Sequence, residues 1–501
     1  MWDVIKILQL GTRDFNSIYN VPDYLDIEYI EEFIEAPKIQ YDMIFVDKIL
    51  SAEEIKLLYK VTKAYTLYIL DDVPLTDKMK TYLMRCRGKL ISRDEIQLFL
   101  ADEAKNYFGK PYGEKQRINN FAIAHGFKGK VSFEGYYSIN LEGYYGESFK
   151  QILYLRNNLI IDKDSAIEMW LEYEKDDTVE IEIEITLFRR GDTSNYIRKW
   201  IFSGKELDDL IIVDNDMVAG NFFVSIRAKG EGKLKLIALH DRFSRRGHGC
   251  FLPGGERKVC SNREEIFYYF DPGDMKPPLN VYFSGYKTQQ GFEGYYMMKK
   301  MGCPFLLIAE PRLEGGAFYM GNQEYEQSVI DIIKQFMNEL GFSTKEVIMS
   351  GLSMGTFGAL YYGCDIQPHA IIIGKPIASV GDVALNERVN RPGGFPTSLD
   401  VVNYLSGSLD EDAISSVNDR FWDKFKGITF NKTKIVVSYM IEDDYDGNAY
   451  NNLIYNLNGD GVRIYGKGIH GRHNDASGEI VSWFKHQYDN ILSEDFKRRN
   501  D

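Results

Sequence analysis

The amino-acid sequence predicts an α/β fold class with three successive regions, and three patterns lead to this prediction. Short apolar runs alternate with helical segments in residues 1–115 and again in residues 260–501, which is the element order of layered α/β domains. Residues 116–250 instead alternate apolar and polar side chains, as half-buried strands do. Residues 347–363 join an apolar run, a Gly-x-Ser-x-Gly turn and a helix of small residues, which indicates a site in the third region.

Length, charge and cysteine usage limit the classes of protein to which the chain can belong. It has 501 residues, enough for several cores, and a formal net charge of −14 without a polybasic block, which disfavours nucleic-acid binding. Its five cysteines lack metal-binding spacing, so we expect reduced thiols, no metal site and a cytoplasmic location. We expect neither a signal peptide nor a membrane span, because no apolar run is long enough for a bilayer.

The first region, residues 1–115, is predicted to be a small Rossmann-like α/β domain. Its expected elements are strands at residues 4–10, 41–46 and 66–70, with helices from Ser51 and over residues 94–107. The glycine pattern of a dinucleotide-binding turn is absent after the first strand. We therefore assign this region a structural or docking role and no chemistry.

The second region, residues 116–250, is predicted to be a β-sandwich of the carbohydrate-binding kind. Residues 179–188, VEIEIEITLF, show a strict period of two. One group of aromatic residues is open to two interpretations, stacking on sugar rings or filling the core: Tyr136, Tyr137, Tyr144, Tyr145 and Trp170. The basic, glycine-rich residues 242–255 are predicted to be a linker or surface loop, with His248 in solvent.

The third region, residues 260–501, has the element order of an α/β hydrolase. The expected strands are residues 279–283, 304–309, 347–349, 369–374, 434–441 and 461–465. A helix with one apolar stripe precedes the strand that leads into the Gly-x-Ser-x-Gly turn. Residues 374–427 are longer than a simple crossover requires, so we predict a cap over the site.

Ser353, at the centre of the Gly-x-Ser-x-Gly turn, is the predicted nucleophile. Such a turn lifts the serine hydroxyl clear of the sheet, and the following helix offers backbone N–H groups to a developing oxyanion. The predicted donors are the N–H of Met354 and one from the loop after residues 279–283, for which Gly285 is preferred and Tyr286 is the alternative.

The chain order Ser, acid, His of this fold directs the search for the other two catalytic residues. Residues 434–441 lead into an acidic cluster in which Asp443 is the preferred acid and Glu442 and Asp444 are alternatives. The loop after the last strand contains two candidate bases, His470 and His473, and spacing does not choose between them.

Three function classes fit these residues. An acyltransferase would pass an acyl group from Ser353 to an acceptor hydroxyl, with no tightly bound cofactor. A carbohydrate esterase or peptidase would use the same triad on water. A non-catalytic scaffold would bind through the first two regions and keep the turn as a relic.

Four motifs resemble one known family. They are WDVIKILQLGTRDF near the start, SGLSMGTFGALYYG at the turn, VSYMIEDDYD in the acidic cluster and GRHNDASGEIVSWF near the end. Together they look like the second accessory secretory protein of the accessory Sec system of Gram-positive cocci, and the resemblance covers essentially the whole chain.

That resemblance implies a cytoplasmic protein that meets the inner face of the membrane only peripherally, through a translocon. It implies two sister accessory secretory proteins, an accessory SecA motor ATPase and serine-rich repeat glycoprotein adhesins as partners. It also implies O-acetylation of N-acetylglucosamine on these adhesins, with an acetyl donor, for which acetyl-CoA is the candidate, as co-substrate. By position, the nucleophile is Ser353, the acid lies within residues 442–444, and the base is the histidine of GRHND, His473.

Overall fold

The computed structural model describes residues 4–35, 39–192 and 194–498. The strands of these residues lie in three large sheets and one two-stranded ribbon, with helices in the first and third parts of the chain. The predicted mixed α/β class is therefore confirmed. Within the described ranges, no helix combines the length and the apolar character needed to cross a membrane.

The first sheet has five parallel strands in the spatial order β2-β1-β3-β4-β5. Its strands are β1 (Ile5–Gly11), β2 (Leu25–Ile30), β3 (Met43–Asp47), β4 (Leu67–Leu70) and β5 (Lys89–Ile91). Its helices are α1 (Phe15–Ile18), α2 (Ala52–Leu58), α3 (Asp77–Arg85) and α4 (Arg93–Leu98), the last continuing through π and 3₁₀ turns to Tyr107. The sequence does not predict the edge strands β2 and β5, and β5 has only three residues, two of them exposed.

The second sheet is antiparallel throughout and contains ten strands. They are β6 (Gly113–Gln116), β7 (Phe121–Ile123), β8 (Lys130–Glu134), β9 (Ser138–Leu155), β10 (Leu159–Ile161), β11 (Ser165–Lys175), β12 (Val179–Arg189), β13 (Tyr196–Ser203), β14 (Ile211–Asn215) and β15 (Gly220–Phe243). The first half of β15 pairs with β12 and the second half with β11, and both halves contribute to one apolar cluster. The sheet therefore folds around that cluster, as in a sandwich whose long strands pass from one layer to the other.

The structure separates the aromatic residues of the second region into two groups. Trp170 and Tyr145 are buried, and the Trp170 ring lies under the guanidinium groups of Arg257 and Arg263 at the contact with the third region. Tyr136 and Tyr144 are exposed. Core filling thus accounts for Trp170 and Tyr145, which cannot stack on a sugar from solvent.

The prediction of a surface linker at residues 242–255 is wrong. Arg242 and Arg245 are each about 1% exposed, and His248 is partly buried, 3.0 Å from the Tyr107 hydroxyl and paired with Glu103. Arg245 donates to three backbone carbonyls, those of Asn106, Phe108 and Phe251. The basic, glycine-rich composition of the segment predicts exposure to solvent. Arg242 and Arg245 are instead buried, where they bond to residues of the first and third regions.

The third sheet has eight strands in the spatial order β16-β17-β19-β18-β20-β21-β23-β25, parallel from β19 to β25. They are β16 (Glu256–Val259), β17 (Glu265–Asp271), β18 (Leu279–Phe283), β19 (Phe305–Ala309), β20 (Val347–Leu352), β21 (Ala370–Gly374), β23 (Lys434–Met440) and β25 (Arg463–Ile469), while β22 (Phe430–Asn431) and β24 (Gly459–Asp460) form the separate ribbon. The sequence does not predict the antiparallel strands β16 and β17.

Helices cover both faces of the third sheet. They are α5 (Tyr295–Lys300), α6 (Gln323–Leu340), α7 (Met354–Ile366), α8 (Val380–Val389), α9 (Thr397–Ser406), α10 (Glu411–Gly427), α11 (Ala449–Asn456) and α12 (Ser477–Glu494). Met349 of β20 belongs to the apolar cluster with α6 and α7, whereas its neighbour Ile348 belongs to the cluster with α5 and α12. Burial on both faces explains why β20 is continuously apolar. Helices α8, α9 and α10 occupy the predicted cap segment.

The bend in β15 generates a stability prediction. Gly230 has φ +96°, and a Cβ atom there would lie 2.1 Å from the Thr178 carbonyl oxygen. Gly191 has φ +80° with open space around it. We expect Gly230→Ala to lower the free energy of unfolding by about 2–4 kcal/mol, against about 1–2 kcal/mol for Gly191→Ala, which carries the backbone strain alone. Equal shifts in the urea midpoint would contradict the clash.

Candidate active site

The backbone of Ser353 is held in a strained conformation, with φ 52° and ψ −122°. Gly351 and Gly355 make this turn possible. A Cβ atom on Gly351 would lie 2.2 Å from the Gly355 carbonyl oxygen, and one on Gly355 would lie 2.1 Å from the Phe283 carbonyl oxygen. Only glycine fits either position, so the pattern in the sequence reflects the close approach of α7 to β18.

Ser353, His473 and Asp443 form a continuous hydrogen-bonded relay. Ser353 Oγ lies 2.9 Å from His473 Nε2, and His473 Nδ1 lies 2.9 Å from Asp443 Oδ2. Because a carboxylate only accepts, the Nδ1 atom carries the proton and Nε2 is the acceptor for the serine hydroxyl. The His473 side chain is 2% exposed, so its two hydrogen bonds replace water contacts.

The charge of Asp443 is stabilised by its surroundings. Burial alone would raise the pKa of its carboxyl, but the hydrogen bond and charge of His473 and two backbone amides lower that pKa below its usual value. Asp443 Oδ1 accepts the N–H of Tyr445 at 2.8 Å and that of Asp446 at 3.3 Å. The carboxylate is therefore ionised at neutral pH and can stabilise a protonated His473.

The other two acidic candidates hold the loops around the relay. Asp444 Oδ1 accepts the backbone N–H of His473 at 3.0 Å. Glu442 accepts from the Gly471 N–H at 2.6 Å and pairs with His470, whose side chain is 84% exposed. The structure thus brings Asp443 and His473 to Ser353 and places Glu442 and His470 outside, as a second acid and histidine pair in solvent.

A stack of side chains covers the outer face of the histidine. The Tyr445 ring lies 4.2 Å from the His473 ring at an interplanar angle of 19°. The Arg391 guanidinium, from the cap segment, lies 3.9 Å above Tyr445 and is 3.0 Å from Asp444 Oδ2. Phe395 stacks on Tyr445 and contacts Tyr286 edge-on. The sequence analysis missed this stack, because only the fold brings the cap segment to the acidic cluster.

The oxyanion loop, residues 284–294 between β18 and α5, requires a correction. The Gly285 N–H donates to Glu293 Oε2 at 2.7 Å, so the preferred second donor is already paired in this structure. Tyr286, the alternative, has no hydrogen-bond partner for its N–H among the residues that the structure describes, and the same is true of the Met354 N–H at the start of α7. Of the three candidate amides, those of Tyr286 and Met354 therefore stay available for an oxyanion among the described residues. Sequence reasoning missed Glu293, which carries no motif.

Ser353 lies on a strained strand-to-helix turn, at the edge where parallel strands end, and is joined to a histidine and an aspartate. This geometry is the one found at serine-nucleophile sites of the α/β-hydrolase type. The chain itself belongs to the accessory Sec system GspB-transporter family, whose sequence model matches residues 5–498. The family resemblance expressed by the four motifs is thereby confirmed.

Relatives of this family match the chain along its whole length. The accessory Sec system protein of Streptococcus gordonii is 36% identical over 510 residues, with 100% of both chains covered. That of Staphylococcus aureus is 37% identical, covering 98% of this chain and 97% of the relative. A chain of the Glycosylation Associate Protein (Gap123) complex from Streptococcus agalactiae is 34% identical and superimposes with a TM-score of 0.87, with 100% of both chains covered.

The inner pair, Asp443 and His473, and the outer pair, Glu442 and His470, predict different effects of histidine substitution on the reactivity of Ser353. We expect a fluorophosphonate probe to label Ser353 in the wild-type chain, because His473 accepts the hydroxyl proton. His473→Ala should slow labelling by about 10²-fold or more, whereas His470→Ala should leave it unchanged. The measurement is the labelling rate by intact mass, with Ser353→Ala as the blank. Equal rates in the two histidine variants would contradict the relay.

Proposed function

We propose that the chain is the acyl-transferring component of an accessory Sec system, and that it O-acetylates N-acetylglucosamine on serine-rich repeat glycoprotein adhesins. The observation that carries this proposal is the hydrogen-bonded relay of Ser353, His473 and Asp443. Family membership supports the accessory Sec assignment. The acetyl chemistry rests on the site and on the resemblance of the four motifs.

In the first half of the reaction, His473 Nε2 takes the proton of Ser353 Oγ as the oxygen attacks the carbonyl carbon of an acetyl donor. A thioester such as acetyl-CoA is the proposed donor. The N–H groups of Met354 and Tyr286 stabilise the oxyanion of the tetrahedral intermediate. The carbon–sulfur bond of the donor then breaks, His473 gives its proton to the departing sulfur, which leaves as the free thiol, and the acetyl group remains on Ser353 as an ester.

In the second half, a sugar hydroxyl attacks the acetyl carbonyl carbon and gives its proton to His473 Nε2. The bond from Ser353 Oγ to the acetyl carbon breaks, and the serine recovers a proton from His473. Asp443 remains ionised throughout and stabilises the imidazolium in both halves. The same steps with water in place of the sugar would give hydrolysis, so the acceptor must be held better than water.

The aromatic wall of Tyr445, Phe395 and Tyr286 supports a sugar as the acceptor through its one partly exposed ring, that of Tyr286, because Tyr445 and Phe395 are each only 9% exposed and pack behind it. The wall lies beside His473 and is built from the cap segment, the acid loop and the oxyanion loop. Aromatic faces with a few directional polar groups suit a ring that has one apolar face. Closing the cap over such a ring would exclude water from the acetyl-serine.

The proposed partners rest on family membership and on the solved complex of a relative. The Streptococcus agalactiae relative was solved as a complex, which supports assembly of this chain with two sister accessory secretory proteins. An accessory SecA motor ATPase and the glycoprotein substrate complete the proposed export route. On this proposal the chain acts in the cytoplasm, before its substrate reaches the translocon.

The first test is the mass of adhesin glycans from cells that carry the wild-type chain or Ser353→Ala. We expect the variant to lose acetyl-sized increments while export continues, because the hydroxyl is needed for chemistry and the fold around it is retained. Glu442→Gln serves as a control in the outer acid and histidine pair. Unchanged glycans in the Ser353→Ala strain would overturn the acetyltransferase proposal and favour a scaffold.

A second test separates transfer from hydrolysis. The purified chain is supplied with an acetyl thioester and a glycopeptide bearing N-acetylglucosamine, and the acetylated sugar and free acetate are both quantified. We expect acetylated sugar to form faster than acetate, and Phe395→Ala to shift the ratio towards acetate by removing part of the aromatic wall. Rapid release of acetate without any acetylated sugar would identify an esterase.

A further inference from the structure

The oxyanion loop is held at its two ends by the third sheet. Ser284 N–H donates to the Ile308 carbonyl at 2.9 Å, and Glu293 N–H donates to Ser284 Oγ at 3.1 Å. Glu293 in turn accepts from Gly285. Between these ends, residues 287–289 are exposed. The position of the Tyr286 amide therefore depends on the bond of Gly285 to Glu293, on the contact of the Tyr286 ring with Phe395 and on what fixes the middle of the loop.

Gln290 is the residue that fixes it, and every hydrogen bond that Gln290 makes goes to the second sheet among the residues the structure describes. Its N–H donates to the Gly113 carbonyl of β6 at 2.8 Å. Its side-chain oxygen accepts from Arg242 Nε at 2.6 Å, and its side-chain nitrogen donates to His240 Nδ1. Both ends of the amide are thus used by side chains of β15.

The two partners of Gln290 are themselves immobilised. Arg242 is 1% exposed and makes a bidentate ion pair with the fully buried Glu265 of β17. His240 is fully buried, and burial, followed by the charge of Arg242, holds the pKa of its ring well below the usual value. The ring is therefore neutral, with Nδ1 free to accept from Gln290 and Nε2 facing Glu172 at 3.1 Å.

A metal ion is a poor explanation for this cluster. Glu172, His240 and Glu265 do offer ligand atoms within 4.8 Å of one another. However, Glu265 already pairs with both Arg242 and Arg257. A divalent cation at this point would lie beside two guanidinium groups, so the cluster is better explained as an internal network that balances its own charge.

We propose that the second sheet positions the oxyanion donor of the third. Arg242 and His240 hold Gln290, and Gln290 holds the loop that carries the Tyr286 amide, the proposed second oxyanion donor. Gln290 is on this view a positioning residue that touches no substrate. The catalytic consequence rests on the proposed function, whereas the anchoring of the loop does not.

The test compares Gln290→Ala with Gln289→Ala, its exposed neighbour, in the full chain. Hydrogen exchange of the peptide covering residues 284–293 reports loop anchoring without reference to catalysis. We expect exchange at least about tenfold faster in Gln290→Ala and unchanged in Gln289→Ala. Turnover of p-nitrophenyl acetate reports whether the Tyr286 amide is in position to stabilise the oxyanion. We expect kcat to fall by about 10-fold to 100-fold in Gln290→Ala, with KM within about twofold of wild type.

The outcomes are distinct. Unchanged exchange in Gln290→Ala overturns the anchor whether or not the chain is an enzyme. Faster exchange with unchanged kcat overturns the positioning role, and so does a loss of kcat that follows a lowered thermal midpoint. If Ser353→Ala turns over the ester as fast as wild type, the proposed function fails, while the exchange data still decide on the anchor.

Discussion

The contact between α7 and β18 is the constraint on which the site depends. Gly355 brings the first turn of the helix against the Phe283 carbonyl, at a separation that leaves no room for a side chain. Because β18 and β20 are neighbours in register, the same contact places the end of β18 beside Ser353. The oxyanion loop begins at that end. One close approach therefore sets the position of the nucleophile and that of the loop that faces it.

The acidic cluster after β23 shows how three similar carboxylates acquire different tasks. Asp443 faces the histidine ring, Asp444 accepts the histidine backbone amide, and Glu442 binds the following turn from solvent. A fourth, Asp446, accepts the amides of Ala378 and Ser379 below the cap, and burial raises its pKa to about 6. The His473 ring is held in position because its ring N–H, its backbone N–H and the N–H of Gly471 each have a separate carboxylate acceptor.

The sequence predicts the parallel strands of the third sheet and the nucleophile because the signal for each lies in contiguous residues. The strand, the turn and the small-residue helix around Ser353 are contiguous, and the predicted strands of the parallel core lie close to the observed ones. The pattern could not choose among Glu442, Asp443 and Asp444, since loop geometry and not spacing determines which oxygen meets the ring. His473 was preferred over His470 only through family resemblance.

Contacts between regions were beyond what the sequence could predict. The segment 242–255 has the composition of a surface linker, yet Arg242 is buried because Glu265, from another region, neutralises it. Gly285 was preferred as a donor because it follows the strand, but Glu293, eight residues later, takes its N–H. In both cases a charged group that is distant in sequence determines the outcome, and periodicity carries no information about such pairs.

The second sheet touches both walls of the site, and this bears on how a glycan could be acetylated without hydrolysis. On one side Gln290 ties it to the oxyanion loop. On the other, the Tyr136 N–H donates to Asp400 of the cap helix α9 at 3.2 Å, and the Tyr137 ring contacts Tyr404 of the same helix. Since the cap and the oxyanion loop are both bonded to the second sheet, that sheet helps to set the gap between them. On the proposed function, the width of that gap is what would let a sugar fit tightly enough to exclude water.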